Sequence, residues 1–211
     1  MIPQSRHPLS RLYLLTDRHH TNQRPLTSVL GQALEAGVRM VQIREKDLDT
    51  RQLLTLAQHL IPLIKQHQGT VLMNDRVDLA LALDADGVHL RSDSLPLPIA
   101  RRMLGGNRLI GLSVHSAEEV RYAENEGADF VVLGPIFETP SKQPYGPPLG
   151  LHILETACRG SHLPIFAIGG IKIKQVPAIL SSGAYGIAVI SSILQAPDIQ
   201  HSTHDLLAQL P

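Results

Sequence analysis

Gln42, Arg44 and Lys46 occupy alternate positions in Gln42-Ile43-Arg44-Glu45-Lys46, at the end of an apolar run of strand length. Extended backbone sends alternate side chains to the same side, so an amide and two cations would stand together. Cations gathered away from water require an anion. A salt bridge to Glu45 or another carboxylate would supply one, and so would a phosphorylated ligand. Other apolar runs end in polar residues too. Met73-Asn74-Asp75-Arg76 offers a carboxylate for a metal ion beside an amide that could orient a ligand, or else a cap for the next helix. His89 fits either a core position or a site, and Ser94, just before Leu95-Pro96, reads as a helix cap. Ser113 and His115 share one side of a strand end, where His115 could serve as a general acid or base or simply hold a helix entry. Thr139, Ser141 and Lys142 bring two hydroxyls and a cation, a set suited to phosphate oxygens. They lie in a loop with Pro135, Pro140, Pro144, Pro147 and Pro148, a candidate lid. Gly169-Gly170, together with Ile190-Ser191-Ser192, provides backbone that a ligand can approach and amides that can bind an anion.

The elements that must position these residues alternate along the chain. Strands are expected at Leu12 to Leu15, Val38 to Ile43, Thr70 to Met73, Gly87 to Leu90, Leu109 to Val114, Asp129 to Leu133, Pro164 to Ile168 and Gly186 to Ile190. Each precedes a stretch of helical period, the last ending near Leu210. The strands are nearly continuous apolar runs, as expected for a parallel sheet buried on both faces. Ala36-Gly37-Val38, Asp86-Gly87-Val88, Gly127-Ala128-Asp129 and Gly183-Ala184-Tyr185 recur at helix-to-strand turns, where glycine can take the left-handed conformation that ends a helix. The order predicts an α/β fold, a single (β/α)8 barrel of the TIM type, spanning 1–211 with 1–10 as a flexible N-terminal extension. An open doubly wound sheet is the alternative, weakened because no G-x-G-x-x-G follows a strand. In a closed barrel the side shared by Gln42, Arg44 and Lys46 is the interior. The strand C-termini then form the active face, and the loops after the last two strands are its usual phosphate site.

Composition narrows the function further. Lys plus Arg total 19 and Asp plus Glu total 19, so formal net charge is +0 and no basic run invites nucleic acid. Aromatic residues are 3% with no Trp, which leaves little to stack on bases. The single cysteine, Cys158, excludes an intrachain disulfide and a Cys-rich zinc site. No apolar run approaches the roughly 20 residues of a membrane span, and Met1 to Arg11 carries no apolar signal core. These features lead us to expect a cytoplasmic protein that binds small molecules, neither nucleic acid nor membrane, with a homo-oligomer compatible.

Beyond these local readings, Leu14-Leu15-Thr16-Asp17, Val41 to Lys46, Met73 to Asp78, Gly87 to Leu90, Ser113-Val114-His115, Gly134 to Lys142, Ile168 to Ile171 and Ala188 to Ile193 form an ordered set. With that order and spacing the chain, from Leu12 to about Ile193, resembles the thiamine phosphate synthase family, which includes related thiazole tautomerases. The resemblance implies condensation of hydroxymethylpyrimidine diphosphate with a thiazole phosphate, giving thiamine phosphate and pyrophosphate. It implies that Gln42, Arg44, Lys46 and Asn74 hold the pyrimidine diphosphate and that Asp75 binds Mg²⁺. Ser113 and Lys142 would contact pyrophosphate or pyrimidine. Thr139 and Ser141 would bind the thiazole phosphate, with Gly170, Ile190 and Ser191 as its phosphate cradle.

One stretch departs from the family pattern. Where the family usually has Gly-Gln-Glu-Asp, this chain has Arg91-Ser92-Asp93-Ser94, so Ser94 replaces the second Mg²⁺ carboxylate, with Asp93 adjacent. Ser-Asp-Ser-Leu-Pro and Tyr145 to Gly150 also resemble the tautomerase branch, in which His115 would be the base for a proton shift on a carboxythiazole phosphate. That reaction has no diphosphate to occupy Arg44, Lys46, Asn74, Asp75 and Lys142 as a set. A third reading is a non-catalytic barrel that binds thiazole phosphate and regulates a partner. Under the condensation reading, Lys142→Ala should slow turnover at least about tenfold, since one charge-assisted contact to a leaving group contributes roughly 1.5–3 kcal/mol. A steady-state assay checks this, and an unchanged rate removes Lys142 from the mechanism.

Overall fold

A computed structural model describes residues 9–139 and 146–211 of the chain. Eight parallel strands close into a barrel in sequential order, β1 to β8, with β1 hydrogen-bonded to β8. They are β1 Leu12–Leu15, β2 Met40–Ile43, β3 Thr70–Asn74, β4 Gly87–Leu90, β5 Leu109–Val114, β6 Phe130–Leu133, β7 Ile165–Ile168 and β8 Gly186–Val189. The outer helices are α1 Leu26–Glu35, α2 Thr50–Gln66, α3 Val77–Ala82, α4 Leu97–Leu104, α5 Ala117–Asn125, α6 Gly150–Arg159, α7 Val176–Ser181, α8 Ser191–Leu194 and α9 Ile199–Leu207.

Strand alternation divides the apolar residues into two layers. Tyr13, Leu15, Met40, Leu72, Phe130 and Phe166 fill the barrel interior. Their neighbours Leu12, Leu14, Val41, Ile43, Val71 and Val131 face outward into the apolar sides of the helices. Aromatic edges meet faces inside, with Tyr13 and Phe130 centroids 5.7 Å apart and Phe130 and Phe166 5.5 Å apart. The interior is therefore packed, and its inward side chains reach polar surroundings only at the ends of the strands.

The N-terminal end is tied by acidic side chains. Asp129 accepts hydrogen bonds from Ile110 N and from Arg101 of α4, both at 2.6 Å. Asp86 accepts from Val71 N at 2.7 Å and pairs with Lys65 near the end of α2. Leu9 also belongs to this end: it packs against the inner core, and its carbonyl accepts the Tyr185 hydroxyl. Residues 1–8 lie outside the described residues.

Several local expectations change. Gly37, Gly127 and Gly183 have φ of 109°, 86° and 93°, the left-handed turns anticipated. Gly87 does not: it opens β4, and a Cβ there would lie 2.0 Å from Leu109 O, so close strand approach excludes a side chain. In that connection the left-handed residue is Asp84, at φ 50°. Ser116 caps α5 through Glu119 N at 3.1 Å, whereas Ser94 does not cap α4, whose cap residue is Pro96 and which has no side-chain cap bond. Asn74 and Asp75 do not cap α3 either, since its cap position is Arg76 and no side-chain bond is made there. The expected terminal helix is two, because Asp198 caps a fresh start at His201 N, 2.9 Å away, just after Pro197.

Candidate active site at the barrel mouth

At the C-terminal end of β2 the alternation places Gln42 inside the barrel, where it is 1% exposed. Neither amide atom of Gln42 has a hydrogen-bond partner among the described residues. Arg44 continues on the same side, and its backbone is fixed by Thr16, whose Oγ1 accepts Arg44 N at 2.9 Å while Thr16 N donates to Gln42 O at 2.9 Å. Glu45 points the other way, where its carboxylate accepts Arg18 N at 3.0 Å and Arg18 Nη1 at 3.2 Å. It is therefore not the partner of Arg44. The carboxylate beside Arg44 belongs to Asp17, at 3.8 Å, beyond a good hydrogen bond. Burial lowers the Arg44 pKa from its ordinary value, opposed by Asp17 and Glu45 and reinforced by the positive charge of Arg91. Lys46 lies exposed just past the strand.

Next in the sheet, Asn74 closes β3 opposite His89 of β4. Asp75 then takes a left-handed φ of 59°, unusual outside glycine, and its amide donates to His89 O at 2.9 Å. That turn aims its carboxylate at Arg91, with Oδ2 2.7 Å from Arg91 Nε and Oδ1 accepting Arg91 N at 3.0 Å. Asp93 joins the same guanidinium at 3.2 Å. Ser94 N donates to Arg91 O at 3.1 Å, closing the turn. A divalent ion held by the protein does not fit this donor set. Both Asp75 oxygens are engaged, Asp93 faces the same cation, and no cluster of three ligating side chains exists among the described residues.

Beneath the mouth, His89 is fully surrounded, and its Nε2 lies 2.9 Å from Ser113 Oγ. Burial, helped by the charge of Arg44, holds its pKa down to about 3, so the ring is neutral near pH 7. Its role is structural support for Ser113 from inside the barrel. His115 follows on the rim: its Nδ1 lies 2.6 Å from Gly134 O, which can only accept, so Nδ1 donates. Thr139 ends the described part of the β6–α6 loop, and Ser141 and Lys142 lie outside the described residues.

Gly169 and Gly170 have φ of 99° and 63°. A Cβ at Gly170 would sit 2.3 Å from Glu138 O, and one at Gly169 would sit 2.6 Å from Pro135 Cβ. The pair thus answers to close packing of the β6 loop on the β7 loop. Ile190 and Ser191 open the short α8, tied to the β7 loop by the Ser192 hydroxyl donating to Ile171 O. A separate cleft of about 470 Å³ runs along the outer flank of the β1–α1 loop, lined by Arg18, Arg24, Leu26 and Leu56, and contains none of the expected site residues.

The structure therefore gathers Gln42, Arg44, Asn74, Asp75 and Ser113 at the C-terminal ends of β2, β3 and β5, with Gly170, Ile190 and Ser191 at the ends of β7 and β8. Residue-type reading missed Thr16, Asp17 and Arg91. Arg91 carried a visible signal, since it stands in the stretch that departs from the family pattern.

Fold and site define a (β/α)8 barrel with polar and cationic groups assembled at its mouth. A family profile described as thiamine monophosphate synthase matches residues 12–193, and the chain belongs to that family. A putative thiamine-phosphate synthase of Geobacter sulfurreducens is 47% identical over 200 residues, covering 95% of this chain and 94% of that protein. A thiamine-phosphate synthase of a Roseiflexus species is 41% identical, covering 93% and 84% respectively. The solved thiamine phosphate pyrophosphorylase of Pyrococcus furiosus superposes with a TM-score of 0.86 at 35% identity, covering 94% of each chain. A 3-hexulose-6-phosphate synthase, at 17% identity and a TM-score of 0.70, shares the fold.

The state of His89 yields a stability test. An unfolded histidine titrates near 6.5, so below that pH the unfolded chain binds a proton that the folded chain refuses. Stability present above about pH 6.5 is lost as pH falls toward 3, by up to about 1.4 kcal/mol per pH unit from this group. Urea unfolding between pH 6 and pH 4 should show a shallower loss for His89→Gln than for the wild type. Identical slopes would contradict a neutral, buried His89.

Proposed function

We propose that this chain is a thiamine phosphate synthase-type transferase, joining hydroxymethylpyrimidine diphosphate to thiazole phosphate with release of pyrophosphate. The family assignment and the names of the relatives support the reaction. The observation that carries the site is the Gln42 amide, buried at 1% exposure with neither end partnered among the described residues. Leaving such a group unsatisfied costs about 1–3 kcal/mol, a cost that a polar ligand would offset.

The chemistry follows from charge. The bond between the pyrimidine methylene carbon and the diphosphate oxygen breaks, and its electron pair leaves with pyrophosphate. The thiazole nitrogen lone pair then forms the new carbon–nitrogen bond. Arg44, Lys46 and Lys142 would neutralise the growing negative charge, and Gln42 and Asn74 would orient the diphosphate ester. Ser113, held by His89, would contact the pyrimidine or the leaving group. Thr139, Ser141, Gly170, Ile190 and Ser191 would receive the thiazole phosphate. Both substrates are small molecules. No described helix is long and apolar enough to cross a membrane, and we place the reaction in the cytoplasm.

Tautomerisation of a carboxythiazole phosphate has one observation in its favour, the position of His115 just past β5 with its Nδ1 committed to Gly134 O. One assay separates the readings. Supplied with both substrates, the protein should release thiamine phosphate and pyrophosphate in equal amounts. Gln42→Met, which fills the same space without polar atoms, should keep or raise the melting temperature while lowering kcat/KM at least about tenfold, the loss of one or two ligand hydrogen bonds. Unchanged kcat/KM would remove Gln42 from the site. Isomerisation without condensation would establish the tautomerase, and ligand binding with neither reaction would leave a regulatory barrel.

A further inference from the structure

Arg91, Asp75 and Arg44 lie at the ends of three adjacent strands, β4, β3 and β2. Arg91 follows Leu90, the outward-facing last residue of β4, and so shares the parity of the inward His89. Its Nε is claimed by Asp75 at 2.7 Å and by Asp93 at 3.2 Å, and its backbone amide by the other Asp75 oxygen at 3.0 Å. Those contacts use one nitrogen of the fork. Among the described residues the two terminal nitrogens have no hydrogen-bond partner, which leaves the geometry that binds paired oxygens of a phosphate. Arg91 remains 46% exposed, accessible to a ligand entering the mouth. Burial chiefly lowers the Arg44 pKa, and the charge of Arg91 adds a smaller share, so the two guanidinium groups repel each other. An anion placed between them would relieve that repulsion.

The left-handed backbone of Asp75 is the device that makes the arrangement. It turns a carboxylate at a strand end toward the next strand and holds a guanidinium where a protein-bound ion would otherwise need that same carboxylate. Sequence and geometry agree here: the stretch that lacks a carboxylate at Ser94 is the stretch that supplies Arg91.

We infer that Arg91, positioned by Asp75 and Asp93, is the cation that receives the diphosphate in this chain, in place of a divalent metal held by Asp75. The inference rests on the diphosphate-transfer reading above. In the step, the carbon–oxygen bond of the diphosphate ester breaks heterolytically, the electron pair goes to the departing oxygen, and the Arg91 terminal N–H groups hydrogen-bond to the leaving pyrophosphate. No proton need move, and no further reactant is consumed.

Two readouts test this, condensation rate and pyrophosphate binding by calorimetry, each in EDTA and in Mg²⁺. Wild-type protein should condense in EDTA within about threefold of its rate in Mg²⁺ and should bind pyrophosphate in both. Arg91→Ala and Arg91→Gln should each lose at least about tenfold in both readouts in EDTA, with unchanged melting temperature. Wild-type activity and pyrophosphate binding abolished by EDTA and restored by Mg²⁺ would overturn the inference. Arg91 variants that match wild type in EDTA would overturn it equally. If the wild type makes no thiamine phosphate in either buffer, the transferase reading fails instead, and pyrophosphate binding in EDTA still decides whether Arg91 is the anion-receiving group.

Discussion

A closed barrel gives its inward side chains one polar exit. The interior of this protein is packed with Tyr13, Met40, Leu72, Phe130 and Phe166, and the N-terminal end is closed by acidic clasps on backbone amides. Any polar group that points inward must therefore find its partner at the C-terminal mouth or go without one. Gln42 goes without among the described residues, and Arg44 above it has a carboxylate no nearer than the 3.8 Å of Asp17. Buried polar groups are usually satisfied. Tyr13, Glu45 and His89 each leave one buried atom unpartnered as well, but Gln42 leaves both ends of its amide so, next to Arg44 at the mouth of this fold.

That constraint also sorts the histidines. His89 lies deep enough that burial and the charge of Arg44 keep it neutral, so its imidazole serves as a fixed hydrogen-bond partner for Ser113. His115, on the rim, has its tautomer fixed by the Gly134 carbonyl. The two histidines thus differ in surroundings, one buried near the charge of Arg44 and the other exposed past the end of β5. The cations behave likewise. Glu45 serves Arg18 on the outer side and leaves Arg44 to the interior, which an odd–even reading of the strand accounts for without further assumption.

Much of this was legible in the sequence. β1, β4 and β5 have the bounds their apolar runs predicted, and the inward side of Gln42 and Arg44 followed from alternation alone. What escaped was non-local. Gly87 reads like the turn glycines of the other units, yet it is required because Leu109 of the next strand comes so close. Gly169-Gly170 reads as a phosphate cradle, yet a side chain at either position would first strike the β6 loop. Thr16 and Asp17 join the site only because β1 and β2 are adjacent. The pairing of Asp75 with Arg91 depends on a left-handed residue that no composition rule announces. Residue types indicated that phosphate chemistry was at hand, and pairing across strands determined which charges face one another.

The central claim is that the mouth, through Gln42 and Arg44, holds the phosphorylated substrates. The most direct measurement is an experimental structure of the protein soaked with thiamine phosphate and pyrophosphate. The account places an oxygen or nitrogen of a ligand within hydrogen-bond distance of the Gln42 amide, and phosphate oxygens against Arg44. Ligands found instead in the cleft beside Arg24 and Leu56, with Gln42 still unpartnered, would contradict it.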